Sequence, residues 1–183
     1  MKEKAFLDQI HKRLSIISVG ASALRNQGAS GIIKIAREYF YTIDIDEFIN
    51  SLDNEDIYSN FLNKHTGMLV SNFPEDGKSW GGARKGLNLF LREIVYNKFF
   101  SNYYALSTQF NEFNQKIKFL EVPLDKDVAT GIYAESEVNL PKWNSIKSLT
   151  PDVSKQYQIA AQGIAKKENF AKVNLDLRYW RKE

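Results

Sequence analysis

Apolar residues recur at intervals of three and four along most of the chain, which is the spacing of one face of an α-helix. Phe6, Ile10, Leu14 and Ile17 follow this spacing and predict an amphipathic helix over residues 3–18. Further helices are predicted at 32–39, 44–54, 55–70, 104–116, from about 125, at 151–167 and at 169–183, with short helical pieces within 18–31 and after Leu140. Strand signals are few, chiefly in YFYTIDI and KFLEV. The sequence therefore predicts an all-α fold.

The clearest helical pattern begins at Leu87. Its apolar positions fit the i, i+3, i+4, i+7, i+8 spacing and are Leu87, Phe90, Leu91, Ile94, Val95 and Phe99. The preceding stretch SNFPEDGKSWGG, residues 71–82, is dense in turn-forming residues and predicts a loop. We expect a buried central helix directly after this loop.

The composition allows a substantial core. The chain has 183 residues, of which 43% are hydrophobic and 13% aromatic, and this predicts one helical domain or two tightly packed helical subdomains over residues 1–183. No internal repeat or flexible linker divides it.

Several site types are excluded or disfavoured by residue content. The absence of cysteine excludes disulfides, thiolate-bound iron–sulfur clusters and cysteine zinc sites. The only histidines are His11 and His65, and no carboxylate spacing suggests a metal site, so we expect neither metal nor cofactor.

The N-terminus is charged throughout, and no apolar segment is long enough to span a membrane, so we expect a soluble, cytoplasmic protein. The net charge of +3 permits an anionic partner without requiring one.

Two segments carry the chemistry. GGARKGLNLFLREIVYN at 81–97 resembles the second half of the helix-hairpin-helix element of DNA glycosylases, in which a glycine hairpin precedes a lysine near the start of an apolar helix. VPLDKDVATGI at 122–132 resembles the pattern that follows it, a proline, an apolar residue, an aspartate and then an apolar helix. Over residues 75–135 the chain resembles the helix-hairpin-helix DNA glycosylase superfamily, and most closely the archaeal 8-oxoguanine DNA glycosylases or the endonuclease III type.

The resemblance implies a helix-hairpin-helix glycosylase-like bundle that excises a damaged or modified base from double-stranded DNA. By position, Lys85 would be the nucleophile that attacks the sugar C1′, and Asp125 the carboxylate that supports it. A Schiff base on Lys85 would add AP-lyase activity through β-elimination. Such a protein is expected at the nucleoid.

Both residue types suit these roles. A nucleophilic lysine must be a neutral amine, and the positive end of a helix macrodipole disfavours a nearby ammonium. A fixed carboxylate can accept the proton of the amine and stabilise the oxocarbenium-like sugar left by the departing base.

Residues for DNA contact are predicted from the same resemblance and from residue type. The glycine hairpin would offer backbone N–H groups to a phosphate, and nearby cations would add charge. An extruded base would stack between flat side chains, and two side-chain amides in the loop Arg25–Gly28, those of Asn26 and Gln27, would suit a base edge. The predicted phosphate contacts are Gly81, Gly82, Arg84, Lys78 and Arg25, and the predicted stacking residues are Trp80, Trp143 and Tyr103.

Each residue also has a purely structural interpretation. Lys85 is equally typical of a solvated lysine on the first turn of a helix, and Asp125 of an ordinary N-cap. The aromatic residues are typical of core packing. For the whole chain, the alternatives to an enzyme are a non-catalytic helix-hairpin-helix DNA-binding module and a helical protein-interaction domain.

Overall fold

The fold is helical throughout the part of the chain that the computed structural model describes, residues 2–24, 29–106 and 116–180. No strand forms in these ranges, so the all-α prediction is confirmed. The helices are α1 Glu3–Ile17, α2 Ala21–Leu24, α3 Ile32–Thr42, α4 Ile45–Ser51, α5 Glu55–Asn72, α6 Trp80–Tyr96, α7 Lys98–Tyr103, α8 Lys126–Glu135, α9 Pro151–Lys167 and α10 Leu175–Tyr179. Short 3₁₀ turns occupy Glu75–Gly77, Lys116–Phe119 and Lys172–Asn174. No helix in these ranges is both long and apolar enough to cross a membrane.

The helix α6 lies at the centre of the fold. It contacts α1, α2, α3, α5 and α7, and every residue from Gly81 to Leu91 is buried. The rings of Phe90 and Phe40 stack in parallel with centroids 4.9 Å apart, which joins α6 to α3. The predicted central helix is therefore present, although it begins at Trp80 and not after the glycines.

The buried apolar residues form two adjoining cores. The larger core gathers the side chains of α1 to α7, and the smaller core those of α8, α9, α10 and residues 122–124. The segment 170–175 belongs to both, because Ala171 and Val173 lie in the larger core while Phe170 and Leu175 lie in the smaller. An ion pair of Arg92 on α6 with Asp176 on α10 adds a polar link between the two cores.

Helix capping explains several element boundaries. Thr150 accepts the N–H of Val153 and begins α9 at Pro151, as the sequence predicts. Asn97 ends α6, and its side chain accepts the N–H groups of Phe99 and Phe100 to begin α7. This cap interrupts the single helix that the apolar spacing predicts through Phe99.

Other predicted elements differ from those observed. Residues 104–106 are not helical, Lys116–Phe119 is a 3₁₀ turn, and the intervening part of the predicted helix 104–116 lies outside the described residues. YFYTIDI forms the end of α3 and the start of α4 instead of a strand. Its aromatic and β-branched residues serve helix packing there, since Tyr39, Phe40 and Ile45 are buried.

Both histidines are buried, and this makes stability depend on pH. Burial lowers the pKa of His11 and of His65 from 6.5. The His11 Nε2 atom contacts the Phe40 carbonyl oxygen at 3.0 Å, and His65 Nδ1 lies 2.7 Å from the Tyr39 hydroxyl. As the pH falls below 6.5, these two histidines therefore bind protons more readily in the unfolded chain than in the folded chain.

We predict that the free energy of unfolding falls as the pH is lowered from about 7.5 to about 5.5, a window above the titration of ordinary carboxylates. Urea denaturation at a series of pH values measures this. His11→Gln keeps a side-chain donor for the Phe40 carbonyl oxygen but does not titrate, so it should reduce the pH dependence. A stability that rises over this window would contradict the assignment of neutral, buried imidazoles.

Candidate active site

The predicted glycine hairpin is the capped start of α6. The Ser79 hydroxyl oxygen accepts the N–H of Gly82 at 3.0 Å, which satisfies one of the amide groups exposed at the helix start. Gly81 and Gly82 are both buried. A Cβ on Gly81 would overlap the carbonyl oxygen of Ile146, so this glycine permits close packing of residues 146–149 against α6. That geometry does not favour the predicted phosphate contact at either glycine.

The second predicted segment is held in place by α9. The side-chain amide of Gln158 accepts the N–H of Val122 at 3.0 Å and donates to the Val122 carbonyl oxygen at 2.8 Å. Val122 and Leu124 are buried in the smaller core. The backbone that leads to Asp125 is therefore fixed by hydrogen bonds and by packing.

Asp125 has two partners at once. Its Oδ1 accepts the N–H of Val128 at 3.0 Å and caps α8, while its Oδ2 lies 3.2 Å from the Nζ of Lys85. The start of α8 also stabilises the negative charge of Asp125, because the unpaired amide groups there carry a partial positive charge. The N-cap interpretation is thus correct and compatible with a further role.

Lys85 is not a solvated lysine. Its side chain is 6% exposed, and that of Asp125 is 23% exposed. Lys85 is the sixth residue of α6, beyond the first turn in which the macrodipole of its own helix acts strongly. Among the described residues its ammonium has the single partner Asp125. A buried lysine beside a carboxylate, with N–H groups to spare, can pass its proton to that carboxylate and present a free amine.

Arg84 lies in a different polar cluster and has several protein partners there. Its guanidinium forms an ion pair with Glu121 at 3.0 Å and donates to Thr66 at 2.9 Å and to Asn63 at 3.1 Å. Asn88 donates to the same Glu121 carboxylate at 2.9 Å. Arg84 is buried, and its donors point at acceptors on α5 and at Glu121. It is therefore placed to link α6 to α5 and to residue 121, and not to bind a phosphate.

The ring of Trp80 lies against Arg84, with the guanidinium carbon 5.0 Å from the ring centroid. Trp80 and Arg84 line a cavity of about 610 Å³ between α5, α6 and α9. Lys172 also lines it, and burial lowers the pKa of its ammonium, an effect opposed by Glu121 and Glu55. Lys85 does not line this cavity.

The remaining predicted residues do not converge on one point. Lys78 is exposed and forms an ion pair with Glu75 at 2.7 Å. Trp143 lines a separate cleft beside α8, and Tyr103, 44% exposed at the end of α7, packs edge to face on Tyr104. Arg25, with Asn26 and Gln27, lies outside the described residues. Trp80, Trp143 and Tyr103 therefore do not share one cavity.

Sequence reasoning missed Glu121, Asn88, Gln158 and Lys172. Glu121 directly precedes the quoted segment VPLDKDVATGI, and Asp125 is the fourth residue of that segment. The sequence therefore shows two carboxylates four residues apart in a stretch that is predicted to be extended. Asn88 lies one helical turn after Arg84 and shares its face of α6. Gln158 and Lys172 carry no local signal, because only the packing of α9 and of segment 170–175 gives them a role.

Among the residues that the structure describes, no group of three or more His, Cys, Asp or Glu side chains is arranged to hold a metal ion. Comparison with protein-family models, with curated proteins and with solved structures gives no match for this chain. Function is therefore inferred from the geometry of the site together with the sequence pattern that pointed to it.

Two helical glycines offer a matched test of the packing at the start of α6. Gly81→Ala should destabilise the fold by about 1–3 kcal/mol, because the new Cβ meets the Ile146 backbone and forces a shift. Gly67→Ala in α5 should stabilise it by about 0.5–1 kcal/mol, because Gly67 has open space and alanine favours a helix. Thermal and urea unfolding measure both. Equal effects of the two substitutions would contradict close packing at Gly81.

Proposed function

We propose that this protein is a DNA glycosylase of the helix-hairpin-helix type, which removes a damaged or modified base and uses Lys85 and Asp125 for the reaction. The observation that carries the proposal is the contact of the buried Lys85 Nζ with Oδ2 of the partly buried Asp125 at 3.2 Å. The two residues lie 40 positions apart in the chain, and the resemblance singles out both of them.

The burial of the pair supports a reactive role. A buried ion pair contributes little net stability, since desolvation offsets much of the attraction. Lys85 also has a single partner in the described part of the chain, whereas Arg84 beside it has three. The Lys85 amine is therefore positioned by one carboxylate, with no further protein acceptor among the described residues.

The reaction would proceed in balanced steps. Asp125 takes a proton from the Lys85 ammonium, and the amine attacks C1′ of the target nucleotide. The C1′–N glycosidic bond breaks, its electron pair leaves with the base, and the base takes the proton that Asp125 accepted. The amine now bound to C1′ gives a proton to Asp125, which passes it to O4′ as the C1′–O4′ bond breaks, and the open sugar is a protonated Schiff base between Lys85 and C1′. Hydrolysis of this imine returns the enzyme, and β-elimination before hydrolysis cleaves the strand.

A borohydride experiment tests the nucleophile. The purified protein is incubated with duplexes that contain 8-oxoguanine, hypoxanthine, uracil, an alkylated base or an abasic site, and borohydride reduces any imine to a stable amine. We predict a covalent protein–DNA adduct with at least one duplex. Lys85→Arg should abolish it while keeping a cation beside Asp125, because a guanidinium does not deprotonate in proteins. Lys34→Arg, at an exposed lysine of α3, should leave the adduct unchanged.

The outcomes separate the candidate functions. Base release without an adduct would refute Lys85 as the nucleophile and indicate attack by water. Salt-dependent DNA binding with neither base release nor adduct would indicate a non-catalytic DNA-binding module. The absence of any salt-dependent DNA affinity would refute both and leave a protein-interaction domain.

Substitutions at Asp125 separate its capping from its chemistry. Asp125→Asn keeps an N-cap residue for α8 but leaves the buried Lys85 without a counter-charge, so we predict a loss of stability of several kcal/mol and a fall in base excision of about 10²- to 10⁴-fold. Asp125→Ala should show the same loss of activity and destabilise the protein by about a further 1 kcal/mol. Single-turnover excision and thermal unfolding measure the two effects. Full activity of Asp125→Asn would mean that Asp125 acts only as a cap.

A further inference from the structure

A second cleft lies beside the reactive pair, between α8 and residues 142–147. It has a volume of about 520 Å³ and is lined by Lys126, Thr130 and Tyr133 of α8, by the whole 142–147 segment and by Tyr157 of α9. Neither Lys85 nor Asp125 lines it, although Lys126 directly follows Asp125 in the chain. Its volume lies within the range of small-ligand pockets.

The cleft carries an unbalanced positive charge. Lys126, Lys142 and Lys147 are exposed, and no carboxylate is among the described residues that line the cleft. None of these three ammonium groups has a carboxylate oxygen within 4.0 Å in the described ranges. Lys147 only donates to the backbone carbonyl oxygen of Asp76, at 3.3 Å.

Some other surface lysines pair with carboxylates of the chain, as Lys64 does with Glu47 at 2.7 Å and Lys116 with Asp53 at 2.6 Å. The three lysines of the cleft have no such partner in the described ranges and are available to an anion from outside the chain.

Aromatic side chains form the other part of the cleft. Trp143 is half-buried and packs edge to face on Tyr157, with centroids 6.0 Å apart, while Tyr133 is 53% exposed. The Tyr157 hydroxyl donates to the Pro141 carbonyl oxygen at 2.8 Å, which fixes the start of the segment. At its other end, Ile146 packs against Gly81 of α6. The lysines and the indole are thus presented by a segment anchored on both sides.

Cations around an aromatic platform are the groups that bind a nucleotide of a nucleic-acid strand, the phosphate by charge and the base by stacking. We propose that this cleft binds one nucleotide of the DNA strand, with its phosphate against Lys126, Lys142 and Lys147 and its base against Trp143. Because Lys85 is not part of the cleft, this is not the nucleotide that reacts. The inference rests on the proposed function for the choice of DNA as the ligand.

The test measures binding without chemistry. A fluorescein-labelled, undamaged thymidylate 12-mer is titrated with the full-length protein at several NaCl concentrations, and anisotropy gives the affinity. We predict salt-dependent binding. Lys142→Glu and Lys147→Glu should each weaken it about tenfold and reduce the slope of log K against log[salt] by about 0.7. Lys34→Glu, at an exposed lysine of α3, is the control and should bind as the unaltered protein does.

The tryptophan gives a second readout. Trp143→Leu should weaken binding about tenfold, and Trp143→Phe, which keeps a flat ring, should recover most of the loss. If Trp143→Leu does not fold, the lysine variants still test the inference, because positions 142 and 147 are exposed. Unaltered affinity of both lysine variants would overturn the inference. Competition by free thymidine monophosphate as strong as that by the strand would also overturn it, in favour of a free-nucleotide site.

The two proposals fail separately. An adduct in the borohydride experiment together with unaltered strand binding by the Lys142 and Lys147 variants would refute the cleft alone. Strand binding that depends on these lysines, with no adduct and no base release, would refute the glycosylase and retain the cleft.

Discussion

The structure depends on the need to neutralise two neighbouring cations on a buried helix. Arg84 and Lys85 are consecutive residues of α6, and both are buried. An unpaired charge in such a position costs several kcal/mol. Both counter-charges come from one short extended segment, with Glu121 at one end and Asp125 at the other. This requirement fixes the segment against α6 and, through the cap at Asp125, sets where α8 begins.

The two ion pairs serve different purposes because of what surrounds them. Glu121 accepts from both Arg84 and Asn88, and Arg84 has further acceptors in Thr66 and Asn63. Such a network of several partners holds α5, α6 and residue 121 together. Among the described residues Lys85 has only Asp125, which also accepts the N–H of Val128. The rigid packing around the pair therefore fixes the position of the Lys85 amine with a single hydrogen bond.

Sequence reasoning located the features that depend on local chemistry. The boundaries of α9 and the cap at Asp125 follow from residue type and spacing, and the structure agrees with both. The pairing of Lys85 with Asp125 came from the resemblance, since periodicity alone does not relate positions 40 residues apart. The expectation that Gly81 lies in a loop was wrong, since it is in the first turn of α6, because a glycine that permits packing and a glycine that forms a turn look the same in sequence. The inward direction of Arg84 was missed because its carboxylate partner lies 37 residues away.

The bonds of Gln158 to both backbone groups of Val122 impose an order on how the molecule is built. The side-chain amide of Gln158 pairs with both backbone groups of Val122, as a neighbouring strand would in a sheet. Gln158 lies on α9 and is synthesised 36 residues after Val122. Until α9 has emerged, the buried N–H and carbonyl groups of Val122 lack these partners, and such groups are costly to bury. The segment that carries Asp125 to Lys85 therefore gains these partners only after residue 158 has been synthesised. A nascent chain that ends before α9 carries Lys85 and Asp125 but lacks the hydrogen bonds that hold this segment in place.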